Sequence, residues 1–306
     1  MRIAVMGSGG VGGYFGGRLA ASGQDVTFVA RGAHLHAIGQ RGLAITSALG
    51  DATIRTANAT DDPAQIGPVD LVVFTVKLYD SKHAAEAIRP LVGPGTGVVT
   101  FQNGVESTDV LARALGAEHV VGGVANIAAV IAEPGVIRHT GTMARVVFGE
   151  LGGRRSERVA ALADALQAAG VNHRLSDDIQ RDIWDKMVLL SAFSGLTALM
   201  RLPIGPIREE PDTRAMYREG LAEALAVARA KRIALPDDLT EQKLAQTDAL
   251  PYEMKSSMLE DLERGRRLEL PWLSGAIARM GQELGIATPV HSFVTTALKL
   301  HVAGAG

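Results

Sequence analysis

The chain opens with a short apolar run, Arg2-Ile3-Ala4-Val5-Met6, and similar runs recur at 25–30, 71–76 and 97–101. Apolar runs of this length without polar alternation mark strands covered on both faces, as in a parallel sheet. Between them, helical spacing is read over 14–22, 81–91 and 106–115. Strand and helix in alternation predict an α/β domain. The segment 43–58 is expected to form a hairpin excursion. From residue 120 the pattern changes, and 120–132, 135–140 and 145–149 read as short antiparallel strands joined through Pro134-Gly135 and Gly141. A helix over 157–169 and an edge strand over 171–175 close this part. Beyond residue 176 the strand pattern disappears. A long helix rich in Leu, Val and Ala is expected over 179–200, a break over 203–211 and an amphipathic helix over 212–232. Further helices are expected around Lys243, Met258, Ile277 and Val294. The predicted division is therefore an α/β domain over 1–176 and an all-α domain over 177–306.

The first strand and helix are joined by Gly7-Ser8-Gly9-Gly10-Val11-Gly12, which fits G-x-G-x-x-G. Alone that pattern says little; between a strand and a helix of a βαβ unit it marks a Rossmann-type dinucleotide site. Gly7 permits the tight turn, Gly9 lets the backbone approach a pyrophosphate, and Gly12 lets helix and strand pack closely. The free N–H groups at the helix start then face the phosphates. The end of the second strand reads Ala30-Arg31-Gly32, without the carboxylate that would bind a ribose 2′-hydroxyl. Arg31 can pair with a 2′-phosphate through its planar fork, so the expected cofactor is NADP(H). Lys77 and Asn103 follow later strands, and in an open α/β sheet the ligand lies at those strand ends.

With 306 residues, 47% of them hydrophobic, the chain has ample material for two cores. The 31 Lys+Arg against 33 Asp+Glu leave a net charge of −2 and no basic excess for a nucleic-acid backbone. The absence of cysteine removes disulfides, thiolate metal sites and thiol catalysis. No apolar stretch is expected to span a bilayer, and the start does not read as a signal peptide. A cytoplasmic protein without nucleic-acid or membrane partners is the expectation. The histidines offer no metal-ligand spacing: His34 and His36 are expected to share a loop, and His139 to pack in a strand. Amphipathic helices in the second half could serve a homodimer interface or an internal core alike.

Motifs along nearly the whole chain together resemble the ketopantoate reductase (2-dehydropantoate 2-reductase) family. They are Gly7 to Gly12 with Arg31, Val76-Lys77, Gln102-Asn103-Gly104, Pro134-Gly135-Val136-Ile137-Arg138-His139, Trp184-Asp185-Lys186, Leu196-Thr197-Ala198, Ser256-Ser257-Met258 and Glu269. The resemblance implies a Rossmann-type N-terminal domain, a helical C-terminal domain and NADPH-dependent reduction of a 2-oxo acid, 2-dehydropantoate to pantoate on the route to coenzyme A. It implies Lys186 as general acid, a role that suits an ammonium able to protonate and stabilise the oxygen of a ketone under reduction. It places Asn103 against cofactor and substrate, Lys77 and Ala128 against the cofactor, Ser257 on the substrate carboxylate, and Glu269 at the cofactor and lysine side with a catalytic part. Read without the resemblance, Lys186 is a snorkelling lysine, Ser257 a helix N-cap, Glu269 a solvated charge and Asn103 a turn residue.

The chain departs from the family where asparagines usually follow the catalytic lysine. Those places hold Leu190, Ser194 and Ile204, and Ser274 stands where another asparagine is usual. Residues four and eight beyond Lys186 share its helix face, so Leu190 and Ser194 are expected to line the substrate pocket. Leucine and isoleucine there would leave polar groups of ketopantoate unpaired, at about 1–3 kcal/mol each. The alternative is a same-family reductase for a more apolar 2-oxo acid. A non-catalytic NADPH-binding sensor would need only the glycine loop and Arg31, and an enzyme oxidising a hydroxy acid or an opine-like amine would use the same groups in reverse.

Overall fold

The computed structural model of the protein describes residues 1–305. The chain divides into two compact units, Met1–Asp182 and a second that begins at Ile183. The first unit opens with β1 (Arg2–Met6), α1 (Gly10–Ala21), β2 (Asp25–Val29) and α2 (Gly32–Arg41). A hairpin of β3 (Leu43–Thr46) and β4 (Ala52–Ile54), then β5 (Asn58–Thr60), β6 (Val69–Phe74) and α3 (Ser81–Ala87) follow. The unit closes with β7 (Val92–Thr100), α4 (Ser107–Leu115), β8 (Val120–Glu133), β9 (Val136–Glu150), α5 (Glu157–Ala168) and β10 (Asn172–Leu175).

These strands form one mixed sheet in the order β4-β3-β9-β8-β7-β6-β1-β2-β5, with β10 also pairing β9. The central ladder from β2 through β1, β6 and β7 to β8 is parallel, whereas β8 and β9 run antiparallel. The parallel strands are the continuous apolar runs of the sequence: Ile3, Ala4 and Val5 of β1 and Val72 and Phe74 of β6 are fully buried. One apolar cluster covers each face, around Phe15, Phe28 and Phe148 on one and around Phe74, Ile88 and Leu111 on the other.

Three expectations for this unit change. α1 starts at Gly10 rather than 14, because glycines that weaken a helix in isolation here let it lie on the sheet: a Cβ at Gly13 would meet Ile137 at 2.7 Å and one at Gly16 would meet Val5 at 2.6 Å. His34 and His36 stand on α2, a helix hidden by its two flanking and internal glycines, and not in a loop. The two strands expected over 135–149 are one strand, β9, whose register against β8 jumps from Ala144 to His139; Gly141, at φ +78°, lies in that bulge.

The second unit is all helical: α6 (Ile179–Met200, its first turn in the first unit), α7 (Ile204–Glu209), α8 (Pro211–Ala230) and α9 (Leu239–Asp248). α10 (Ser257–Glu263), α11 (Ser274–Leu284) and α12 (Pro289–Leu298) complete it. By length and composition α6 could cross a membrane, contrary to the sequence expectation, but 61% of its apolar window is buried inside the protein, as befits a core helix. α8 is central, packing on α7, α9, α11 and α12. Its Tyr217 is buried with the hydroxyl 3.0 Å from Thr247 Oγ1. Its Glu223, also buried, accepts the backbone N–H groups of Val290 at 2.7 Å and His291 at 3.0 Å. A side chain from a distant helix thus satisfies donors that the first turn of α12 leaves without partners. Glu223→Ala should destabilise this unit by about 1–3 kcal/mol for each buried donor it orphans, and Glu223→Gln by less. Urea unfolding followed by tryptophan fluorescence reports on this unit alone, since Trp184 and Trp272 both belong to it.

Candidate functional site

The sheet register gathers the first group of candidates. Met6 of β1 is paired with Val29 of β2 and Phe74 of β6, and Phe74 with Thr100 of β7. The segments that leave these strands therefore emerge at one carboxyl edge, the place where open α/β sheets bind ligands. They carry the glycine loop, Arg31, Lys77 and Asn103. Ala128, exposed, sits where the β8–β9 register breaks, and its neighbour Ala129 lies against the glycine loop. All five sequence-predicted elements of the cofactor set in this unit are brought to that edge.

Each residue of the loop has a distinct physical role. Gly7 turns with φ +96°, and a Cβ there would stand 2.7 Å from the Val76 nitrogen. A Cβ at Gly12 would overlap Thr75 Oγ1 and the Gly7 carbonyl oxygen, so this glycine serves helix–strand contact. One at Gly10 would overlap the Ala129 carbonyl oxygen, so strand β8 claims that position. Only Gly9 faces open space, with nothing within 4 Å of its would-be Cβ. That is a cradle for a phosphate, directly before a helix whose first N–H groups have no intrahelical partners. The first turn of α1 carries no acidic residue to repel an anion. Ser8 behaves otherwise: its N–H and hydroxyl both donate to Val29 O, at 3.2 and 3.1 Å, and its carbonyl accepts from His34. Its polar groups hold the loop to β2 and α2.

Arg31 is exposed at the N-cap of α2 with no side-chain hydrogen bond or ion pair among the described residues, so its guanidinium is available to a 2′-phosphate. Lys77 and Asn103 are half-buried. Two neighbours fix their segments, a role that the sequence reading gave to neither. Thr75 Oγ1 donates to Gly7 O at 2.9 Å. Gln102 Nε2 donates to Val76 O at 2.7 Å and to Ser81 Oγ at 2.8 Å, tying the two loops together. The available signal was a polar residue immediately after an apolar strand, too common to single out. The residues present fit a nicotinamide dinucleotide with a 2′-phosphate.

The helical unit carries a second group, of which Lys186 and Glu269 are brought together. Lys186, half-buried on α6, is flanked by the buried Trp184, Met187 and Val188. Burial pulls its ammonium down to about 8, and the charge of Glu269 pulls the other way. Glu269 itself is buried, just before the short turn Leu270–Trp272, and is not the solvated charge that its sequence context suggests. Ser274, at the start of α11, donates to Ser191 O of α6 at 3.2 Å and abuts Gly195, where a Cβ would be 2.5 Å from its hydroxyl. This contact seats the Glu269 segment on α6. Leu190 is half-buried one turn beyond Lys186. Ser194 is fully buried with its hydroxyl lacking a hydrogen-bond partner. Ile204 is a core residue at 0% exposure, its N–H bound to Met254 O, which removes it from any accessible pocket. Ser257 is exposed; the N-cap of α10 is Ser256, which accepts from Leu259 N at 3.0 Å and pairs with Thr197 at 2.7 Å.

Residues 3–153 match the family described as "Ketopantoate reductase PanE/ApbA", and residues 178–302 match its C-terminal part. The chain belongs to the ketopantoate reductase PanE/ApbA family. A relative in Bacillus subtilis, an uncharacterized oxidoreductase YkpB, is 32% identical over 303 residues and 99% of each chain. The 2-dehydropantoate 2-reductase of Mesorhizobium japonicum is 34% identical over 94% of each. The crystal structure of 2-dehydropantoate 2-reductase from Geobacter metallireducens matches with a TM-score of 0.92 at 36% identity, covering 98% of this chain and 99% of that one. The chain is accordingly an NADP-dependent oxidoreductase of the class that acts on CH–OH groups, and the Rossmann-type and helical domains expected of the ketopantoate reductase family are both present.

Two neighbouring glycines of the loop can be separated by experiment. Gly9→Ala should leave the melting temperature within about 2 °C of wild type, because its φ of −73° suits alanine, yet weaken NADPH binding at least ~10-fold by occupying the cradle. Gly10→Ala should destabilise the fold by about 1–3 kcal/mol or more through overpacking against β8. Thermal melts and NADPH fluorescence titration check both.

Proposed function

We propose that the protein reduces a 2-oxo acid to the 2-hydroxy acid with NADPH, and that 2-dehydropantoate is the substrate. The observation that carries this reading is the lysine–glutamate pair Lys186 and Glu269: a half-buried ammonium brought to about 8 with a buried carboxylate at hand. NADPH, when bound, supplies the hydride that the carbonyl carbon receives. As that carbon gains the electron pair, negative charge builds on the carbonyl oxygen, and Lys186 Nζ stabilises it and gives up a proton to form the hydroxyl. A proton donor is most useful when it titrates near the working pH. Glu269 keeps Lys186 protonated against its burial. Ser257 and Asn103 are the proposed partners of the substrate carboxylate and carbonyl side, and Asn103, Lys77, Arg31, Ala128 and the glycine loop are the proposed cofactor contacts. An NADPH sensor without chemistry would have no use for the Lys186–Glu269 pair.

One observation favours a second reading, a more apolar 2-oxo acid. Leu190 stands half-buried one turn beyond Lys186, where it offers a substrate hydroxyl no partner. Ile204 does not contribute to this reading, because it is core.

NADPH oxidation in the presence of 2-dehydropantoate and a panel of branched and aromatic 2-oxo acids tests the proposal. Rapid turnover of 2-dehydropantoate, lost by about 10²–10⁴-fold in Lys186→Ala, is the expected result. Faster turnover of an apolar member would select the second reading, and turnover undiminished in Lys186→Ala would refute the assigned acid. The pH profile supplies an independent check. Reduction needs protonated Lys186, so kcat/KM should fall tenfold per pH unit above about 8. Glu269→Gln removes the charge that raises the lysine, so the falling limb should move to lower pH.

A further inference from the structure

His34 lies on the first turn of α2, three residues beyond Arg31. Both of its ring nitrogens are used. Nε2 is 2.9 Å from the Ser8 carbonyl oxygen, and Nδ1 receives the Gly135 N–H at 3.0 Å. A carbonyl only accepts and an amide only donates, so the ring is neutral with its proton on Nε2. Burial, which pulls this imidazole below its ordinary value, favours the same form.

The bond to Ser8 fixes more than Ser8. The peptide joining Ser8 to Gly9 is planar and trans, so its C=O and N–H point in opposite directions. With the Ser8 carbonyl turned to His34, the Gly9 N–H is turned away from α2. Gly9 is also the one loop glycine with open space beside it. Glycine tolerates either orientation of the preceding peptide, and the Ser8 N–H and hydroxyl, both on Val29 O, leave that orientation unspecified. The imidazole specifies it. Its other nitrogen holds Gly135, in the β8–β9 turn, and the same hairpin presses the Ala129 carbonyl onto Gly10.

We propose that His34 is a positioning residue for the cofactor: by holding the Ser8 carbonyl through Nε2, with its ring anchored on Gly135 through Nδ1, it aims the Gly9 N–H at the pyrophosphate. It touches neither cofactor nor substrate and acts through the Ser8–Gly9 peptide. The inference rests on the glycine loop as the dinucleotide site and is independent of the 2-oxo acid.

Three variants separate the two hydrogen bonds. His34→Gln retains a donor at the ε position for Ser8. His34→Asn retains only an acceptor at the δ position for Gly135. His34→Leu retains neither. Titrations with NADPH and with adenosine 2′-monophosphate, which carries the 2′-phosphate but no pyrophosphate, read the outcome. His34→Leu and His34→Asn should each raise the Kd for NADPH about 10-fold, equivalent to 1.4 kcal/mol, and His34→Gln should stay within about threefold of wild type. Affinity for adenosine 2′-monophosphate should change less than about twofold in all three. Equal losses for both ligands would mean that His34 acts through α2 and Arg31 or through folding, and would overturn the proposal. So would wild-type NADPH affinity in His34→Asn, or rescue by Asn and not Gln. Should His34→Leu fail to fold, the Gln and Asn variants decide the matter. A wild-type protein that binds no NADPH would refute the site reading itself, an outcome distinct from normal binding unaffected by His34.

Discussion

The N-terminal unit depends on how closely backbone can approach backbone at the start of α1. Strand β6 and its loop press on Gly7 and Gly12 from one side, and β8 presses on Gly10 from another. Any side chain at these places would push the helix off the sheet, and the phosphate-facing N–H groups would move with it. Gly9 differs in kind, because the space beside it is left by the protein and not filled by it. Three glycines thus serve the fold and one leaves space open, although all four belong to the same six-residue segment. Parallel pairing of β1 with β2 and β6 then delivers Arg31, Lys77 and Asn103 to the same edge without further instruction.

In the helical unit the governing constraint is electrostatic. An ammonium on an apolar helix loses hydration, which weakens its hold on a proton, and a nearby carboxylate restores part of it. Lys186 sits between these pulls. The environment is built from ordinary packing: a mostly apolar α6, the Ser274 hydroxyl on the Ser191 carbonyl, and a glycine at 195 that lets α11 close in. The shifted proton affinity comes from where the lysine is put, since its residue type is shared with many surface positions.

Much of the fold was legible because its signals are local. Continuous apolar runs marked β1, β2, β6 and β7, and the loss of strand pattern beyond Leu175 marked the helical unit. What escaped was set by distant partners. Glycines that read as a loop are helix where Ile137 and Val5 need room for close contact. α2 was hidden by Gly32 and Gly39, and a Gly141 that read as a turn is a bulge in one long strand. The cofactor loop and Arg31 were readable from spacing, whereas Lys186, Ser257 and Glu269 stood out only through the family resemblance. Thr75 was not reached, and Gln102 was reached only as part of the Gln102-Asn103-Gly104 motif, without a role, because both roles exist only once two loops meet.

The same distinction bears on the substrate reader. Counting residues from Lys186 put Leu190, Ser194 and Ile204 in one group, on the premise that each replaces an asparagine that faces substrate. Helix geometry supports the premise only for the first two, and burial divides them again. Ile204 belongs to the core, held by the Met254 carbonyl, so its apolar character is what its site demands and carries no information about a ligand. Ser194 is buried with an unmatched hydroxyl, at a cost of about 1–3 kcal/mol, and has no surface to offer a ligand. Leu190 keeps part of its surface. Position along a helix proposes a pocket, but access decides which side chains can read what enters it, and of the three only Leu190 keeps surface with which to do so.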